Sequence, residues 1–257
     1  MGPKGDRVTA DLERRRLALV VEYDGSRYHG FQFQANASSI QAELEHGIYL
    51  MTGQVVRVAG SGRTDTGVHA MGQVVAFSIE STHAPHTFVN GLNHHLSNDI
   101  AIQSAWQVPM SFDPRREATS RTYRYTILNR ASPSPILSRF VHIIARFLDT
   151  PSMAKASQAL NGIHDFASFS GPVPNSKSTT RKIHKAEVFR NGDIVTFEVE
   201  ATAFLPQQMR RMTGALVEVG LHKVPIEYLV NLILNPQLGA ASEVLPPQGL
   251  CLITVNY

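Results

Sequence analysis

The chain has 257 residues, 43% hydrophobic and 18% charged, with a formal net charge of +3. A chain this long buries about three quarters of its extended surface, so it needs no disulfide or metal to fold, and its composition excludes a disordered protein. No apolar run approaches the roughly 18 residues of a membrane-spanning helix, the N-terminal MGPKGDRVTADLERRR lacks a signal peptide's apolar core, and the single cysteine, Cys251, cannot form an internal disulfide. The expectation is a cytoplasmic protein with no membrane attachment.

The first strand is predicted over Leu17–Tyr23, closed by the turn pair Asp24-Gly25. A helix follows from about Ser39 to Met51. Ser38 or Ser39 can cap it, Ile40, Leu44 and Ile48 form its apolar face, and Gly53 stops it. Val55–Ala59 and Gln73–Ile79 read as strands, His86–Leu96 as a helix and Ile100–Val108 as a strand. This gives the order β-α-β-β-α-β. The second half repeats it with insertions. Arg121–Leu128 is a strand, another is expected near Phe140–Ala145, and Ser152–Leu160 is a helix. Lys182–Phe189 and Ile194–Ala201 flank Asn191-Gly192, a hairpin signal. Helices over Gln207–Val219 and Ile226–Leu234 and a strand over Gly249–Val255 complete it.

The fold class expected is therefore α+β: two ferredoxin-like halves with antiparallel sheets, helices on one face of each, and an active-site cleft between the halves. Residues 1–15 read as a flexible tail, 16–112 as the first half and 113–257 as the second, with the hinge in VPMSFDPRREA, 108–118. The helix-free sheet faces could carry bases on aromatic side chains.

Charge is unevenly distributed. Residues 1–100 hold 8 Lys/Arg against 10 Asp/Glu, 101–190 hold 13 against 5, and 191–257 hold 3 against 6. Arg115, Arg116, Arg121, Arg124 and Arg130 fall in one short stretch with interleaved tyrosines. Such a block attracts a phosphate backbone, and arginine forks onto phosphate where lysine does not. A solvated basic face fits the same residues.

Between the second and third strands lies Gly60-Ser61-Gly62-Arg63-Thr64-Asp65-Thr66-Gly67-Val68-His69-Ala70. Its glycines let the backbone turn sharply and approach a ligand, and its single carboxylate is Asp65. It is neither a phosphate-binding Walker loop nor a dinucleotide fingerprint. Asp65, His69, His94, His95, His164, Asp165 and His184 do not form a compact metal-ligand pattern, so no metal is expected. On the strand Arg121–Leu128, within the basic stretch, Arg121, Tyr123 and Tyr125 share one face and Thr122 and Arg124 the other. A tyrosine flanked by arginines suits base stacking with a phosphate clamp, or burial in the sheet core. In the helix entry Phe204–Gly214, Arg210 lies beside an apolar stripe and could reach inward, although a helix this apolar usually sends its arginines to solvent.

These residues resemble the tRNA pseudouridine synthase A family nearly end to end. EYDGSRYHGFQFQ, Glu22–Gln34, is similar to its opening signature, and GRTDTGVHA, Gly62–Ala70, to its active-site motif. RTYRYTI, Arg121–Ile127, looks like its tyrosine-bearing strand, and His164-Asp165-Phe166, Ser168-Phe169, Phe204–Gly214 and PPQGLCLITVNY also resemble it. The resemblance implies isomerisation of uridine to pseudouridine at positions 38 to 40 of the tRNA anticodon stem–loop, by a homodimer without metal or organic cofactor. It implies that Asp65 is the catalytic aspartate, that Tyr123 packs on the target base, and that Arg63 and Arg210 lie in the active-site cleft. Thr66 departs from an expected alanine, Pro206-Gln207-Gln208 from a more usual histidine pair, and Arg211 from an asparagine. These departures bear on RNA contacts rather than on the reaction.

The residues suit that chemistry. A base inside a stem must be flipped out to be reached. Tyr123 offers it an aromatic surface and Arg63 a filler for the vacancy. One ionised carboxylate must attack sugar or base, or abstract a proton, and the sequence leaves those routes open. Arg210 is expected to pair with Asp65 and keep it charged, and Arg115, Arg116, Arg121 and Arg124 to contact the RNA backbone. The competing classes are a non-catalytic RNA-binding protein on the same fold, which has no need of Asp65, and a metal-dependent phosphoesterase.

Overall fold

The alternation of Leu17, Leu19, Val21 and Tyr23 puts one apolar face on β1, Arg14–Tyr23, and this face organises the first half. In the computed structural model, which describes residues 13–174, 176, 178–241 and 243–257, β1 pairs antiparallel with β3, His69–Glu80, on one side and β4, Ile100–Val108, on the other. Helices α1, Ile40–Thr52, and α2, Pro85–His95, cover that face with Ile40, Leu44, Ile48, Phe88 and Leu92. The Ser39 side chain caps α1 and Gly53 ends it in the left-handed region, as the sequence predicts.

In the second half β5, Ser120–Leu128, pairs with β9, Ile194–Ala201, which forms the hairpin with β8, Thr180–Asn191. Helices α3, Thr150–Ser157, α4, Gln208–Gly220, and α5, Tyr228–Leu234, pack on the same side as the first-half helices. The α+β class and the helices on one face follow the sequence expectation. The sheets do not stay separate. The last strand, β10, Leu250–Asn256, enters between β3 and β5. It pairs parallel with β3 through Cys251↔His69 and Leu252↔Ala70, and antiparallel with β5 through Leu252↔Tyr123. One mostly antiparallel sheet results, in the order β4-β1-β3-β10-β5-β9-β8 and then the short strand β7, Gly162–Asp165, over one continuous core.

Other elements differ from expectation for local reasons. The strand expected at Val55–Ala59 shrinks to β2, Ala59–Gly60, because α1 side chains satisfy the Val58 backbone. Glu45 Oε1 accepts from its N–H at 3.0 Å and Gln41 Nε2 donates to its carbonyl at 3.1 Å. The strand near Phe140–Ala145 reduces to β6, His142–Ile143, and the short β7, Gly162–Asp165, was not predicted. Arg14 and Arg15, placed in the tail by the sequence, belong to β1, and the rest of that tail up to residue 12 lies outside the described residues. Phe112, in the connection between halves, covers Ala18 and Ala76 on the helix-free face.

Leu252 is 1% exposed where the two halves share β10. Leu252→Ala should cost about 2–5 kcal/mol. Urea unfolding should remain one transition at a lower midpoint, since one core spans both halves; a biphasic curve in the wild type would show halves that unfold separately.

Candidate functional site

The loop between β2 and β3 is held from several sides. Ser61 N–H donates to the Val74 carbonyl at 2.8 Å and its hydroxyl to Gln73 Oε1 at 2.6 Å, while Gln73 Nε2 donates to the Gly62 carbonyl at 3.1 Å. Thr64 Oγ1 lies 2.8 Å from the hydroxyl of Tyr23, whose proton is held by burial well above the usual tyrosine range. Phe31 N–H donates to the Thr64 carbonyl at 3.1 Å. Gly30, with φ +91°, lets that segment press against the loop, where a Cβ would come within 2.7 Å of the Thr64 carbonyl. Buried neighbours thus fix Thr64, and the next residue, Asp65, points a half-exposed carboxylate outward (side chain 49% exposed).

Asp65 opens into a cleft of about 600 Å³ between the loop, β5 and the entry to α4. Arg210, from the first turns of α4, donates Nη1 to Asp65 Oδ2 at 3.4 Å and Nε to the Leu245 carbonyl at 2.6 Å. Its side chain is only 16% exposed, so it reaches inward despite the apolar stripe beside it. Tyr123 forms the floor. It is 8% exposed and meets Phe204 edge-on, ring centres 4.9 Å apart at 76°. Burial pushes its hydroxyl pKa up, and the charge of Asp65 adds to this against Arg121, so it stays neutral. Gln207 takes φ 60° at the start of α4. Its Oε1 accepts from Arg211 Nε at 3.2 Å and Nη2 at 3.1 Å, and Arg211 Nη1 donates to the Ala241 carbonyl at 2.8 Å. Two of the three departures from the expected family pattern, at Gln207 and Arg211, therefore sit in one bonded unit that anchors the helix carrying Arg210.

The structure brings Asp65, Arg63, Tyr123 and Arg210 to the same cleft, with Arg115 and Arg116 exposed at its rim. Arg115, Arg116, Arg121 and Arg124, expected to contact an RNA backbone, lie in three different surroundings. Arg124 points to the opposite face of the sheet and is forked onto Glu198 Oε2 at 2.9 and 2.7 Å, because neighbouring strand residues face opposite sides. Arg121 faces the cleft but is 8% exposed, and backbone carbonyls occupy its guanidinium. Arg181, half-buried at the start of β8, also lines the cleft. Sequence reasoning missed it because nothing in its strand pattern distinguishes it from a solvated lysine or arginine. Among the described residues lining the cleft, six arginines face one carboxylate, Asp65. No cluster of three or more His, Cys, Asp or Glu side chains suited to a metal occurs among the described residues.

A cationic rim, an aromatic floor and one exposed carboxylate define a site built to take a planar group from a polyanion and act on it. The sequence matches the family described as tRNA pseudouridine synthase over residues 19–115 and 156–257. It is 38% identical over 243 residues to the tRNA pseudouridine synthase A of Geotalea uraniireducens, covering 95% of this chain and all of the relative. It is 41% identical to that of Myxococcus xanthus, covering 94% and 92%. Among solved structures, a chain of an archaeal box H/ACA complex of Nop10 and Cbf5 aligns with TM-score 0.31 and 11% identity, covering 82% of this chain and 55% of that one. The chain belongs to the tRNA pseudouridine synthase family.

Tyr23→Phe removes one member of the buried Tyr23–Thr64 hydrogen bond and leaves the Thr64 hydroxyl, 6% exposed as a residue, without it. Stability should fall by about 1–3 kcal/mol in urea titration. An unchanged midpoint would mean that the bond does not hold the loop.

Proposed function

We propose that the protein converts uridine to pseudouridine at positions 38 to 40 of the tRNA anticodon stem–loop, with Asp65 as the catalytic carboxylate. The observation that carries this reading is the single carboxylate set over a tyrosine floor inside an arginine-lined cleft, in a chain of this family. The relatives' names support an enzyme over a non-catalytic RNA-binding protein on the same fold.

The reaction breaks the N1–C1′ bond, turns the uracil, joins C5 to C1′, and exchanges the C5 proton for one on N1. The target base leaves its stack to reach the cleft, which costs a few kcal/mol. Stacking on aromatic rings returns about 1–3 kcal/mol per base, and Tyr123, backed by Phe204, is the surface for it. Arg63, exposed at the loop, fills the vacated stack in this reading. Arg115 and Arg116 take the phosphates as they enter. Asp65 then serves as nucleophile toward sugar or base, or as base toward a proton. Each role needs an ionised oxygen, and the guanidinium of Arg210 lies against that carboxylate, Nη1 to Oδ2 at 3.4 Å. The reaction needs no cofactor. The protein acts in the cytoplasm as a homodimer.

Asp65→Asn should lower tritium release from C5-labelled tRNA by about 1,000-fold or more while tRNA affinity stays within a few-fold. Near-normal release would remove Asp65 from the chemistry, and a wild type that releases no tritium would leave the RNA-binding reading. Arg115→Ala and Arg116→Ala should each weaken tRNA binding and flatten the slope of log affinity against log salt by about one. Arg124→Ala should leave that slope alone, because its charge faces away and is paired; a flattened slope there would extend the RNA contact to the helix-free face.

A further inference from the structure

Arg121 is an arginine buried without a carboxylate partner among the described residues. Nη1 donates to the Thr202 carbonyl at 2.7 Å, and Nη2 to those of Ser61 at 2.9 Å and Arg115 at 2.7 Å. Removing a guanidinium from water is costly unless its donors are satisfied, and here only backbone satisfies them. Burial accordingly pushes its pKa down.

The three carbonyls belong to three separate parts of the cleft. Ser61 starts the loop that presents Asp65, and Gln73 and Val74 already hold it from its own half. Arg115 sits at the rim, in the connection between halves. Thr202 follows β9 and leads into Phe204, the ring behind Tyr123, and then into α4 with Arg210. Arg121 itself lies two residues before Tyr123 on the same face of β5. A planar fork with several fixed donors can hold three carbonyls in different directions at once, and an ammonium on a flexible stem cannot hold the same geometry.

We propose that Arg121 is a positioning residue: it registers the Asp65 loop of the first half against the Tyr123–Phe204 floor of the second, and does not contact RNA. This rests on reading the cleft as a pseudouridine synthase site. The bonds at Ser61 and Thr202 set the distance across which carboxylate and base meet. The bond at Arg115 sets where the rim begins. A shift of about 1 Å in such a geometry costs about 100-fold in rate.

The test uses the full chain with Arg121→Lys and Arg121→Ala, compared with wild type for tritium release, tRNA affinity across salt, thermal melting and hydrogen exchange. Arg121→Lys keeps the charge and loses the fork. It should lose about 100-fold in kcat, bind tRNA within about twofold, and keep the wild-type salt slope, because a carbonyl-bound cation releases no phosphate counterion. Added guanidinium should restore part of the rate in Arg121→Ala. Amides of residues 60–68 should exchange faster in both variants, a readout that needs no turnover. A wild-type rate in Arg121→Lys would overturn the proposal. So would a salt slope flatter by about one with weaker binding, the mark of a phosphate contact. A rate loss that only follows the loss of folded protein, with unchanged exchange in the loop, would reduce Arg121 to a stabilising residue. Wild type without activity but with faster loop exchange in the variants would instead sink the functional reading and leave the grip on the loop standing.

Discussion

The pairing of β10 with β3 is the constraint on which the rest of this structure depends. It is short, only Cys251↔His69 and Leu252↔Ala70, and it is parallel. Parallel pairing needs a long crossover, and here the entire second half of the chain supplies it. With β10 also paired to β5, the start of β3 and the middle of β5 lie two strand spacings apart, about 10 Å. The Asp65 loop ends where β3 begins, and Tyr123 stands in the middle of β5. The carboxylate and the aromatic floor therefore meet because the last seven residues of regular structure, Leu250–Asn256, slot between them.

That placement gives the cleft an uneven electrostatic character. Its acid comes from the first half and most of its guanidinium groups from the second. The two signs meet at the Arg210–Asp65 pair, in a position where Arg210 is mostly shielded and Asp65 is half open. Attraction in such a place is stronger than on an open surface, because less water screens it. Arg63, Arg115 and Arg116, exposed at the same cleft, lie where they can draw a polyanion toward that point. Buried hydrogen bonds carry the rigidity: Tyr23 to Thr64, Gln73 to Ser61 and Gly62, and Arg121 to three carbonyls. A carboxylate presented on a loop needs this kind of support to hold one position, since loops alone hold side chains loosely.

The elements legible in the sequence were those whose own residues decide them. The helix Ile40–Thr52 carries its cap, its apolar stripe and its stop. The hairpin of β8 and β9 carries Asn191-Gly192. The strand of Arg121, Tyr123 and Tyr125 carries its alternation. The segment at Val55 was misread because its β-branched residues suit a strand, yet α1 takes up the Val58 backbone bonds and leaves Val55 90% exposed. β7 is too short and too polar to signal itself, and only the neighbouring β8 makes it a strand.

The sequence by itself determined the α+β class, the Gly-rich loop with its one carboxylate, the family, and the basic stretch. All of these reside in local patterns of residue type. Only the tertiary structure decided that the two sheets are one, that Arg210 turns inward onto Asp65, and that the arginines of the basic stretch have different surroundings. Arg115 and Arg116 stand at the rim, Arg121 is locked under the cleft, and Arg124 is paired with Glu198 behind the sheet. The physical reason is that a charge's role depends on which groups surround it. Ser61 beside Arg121, Glu198 beside Arg124 and Asp65 beside Arg210 lie 60, 74 and 145 residues away along the chain, and no local pattern brings them together.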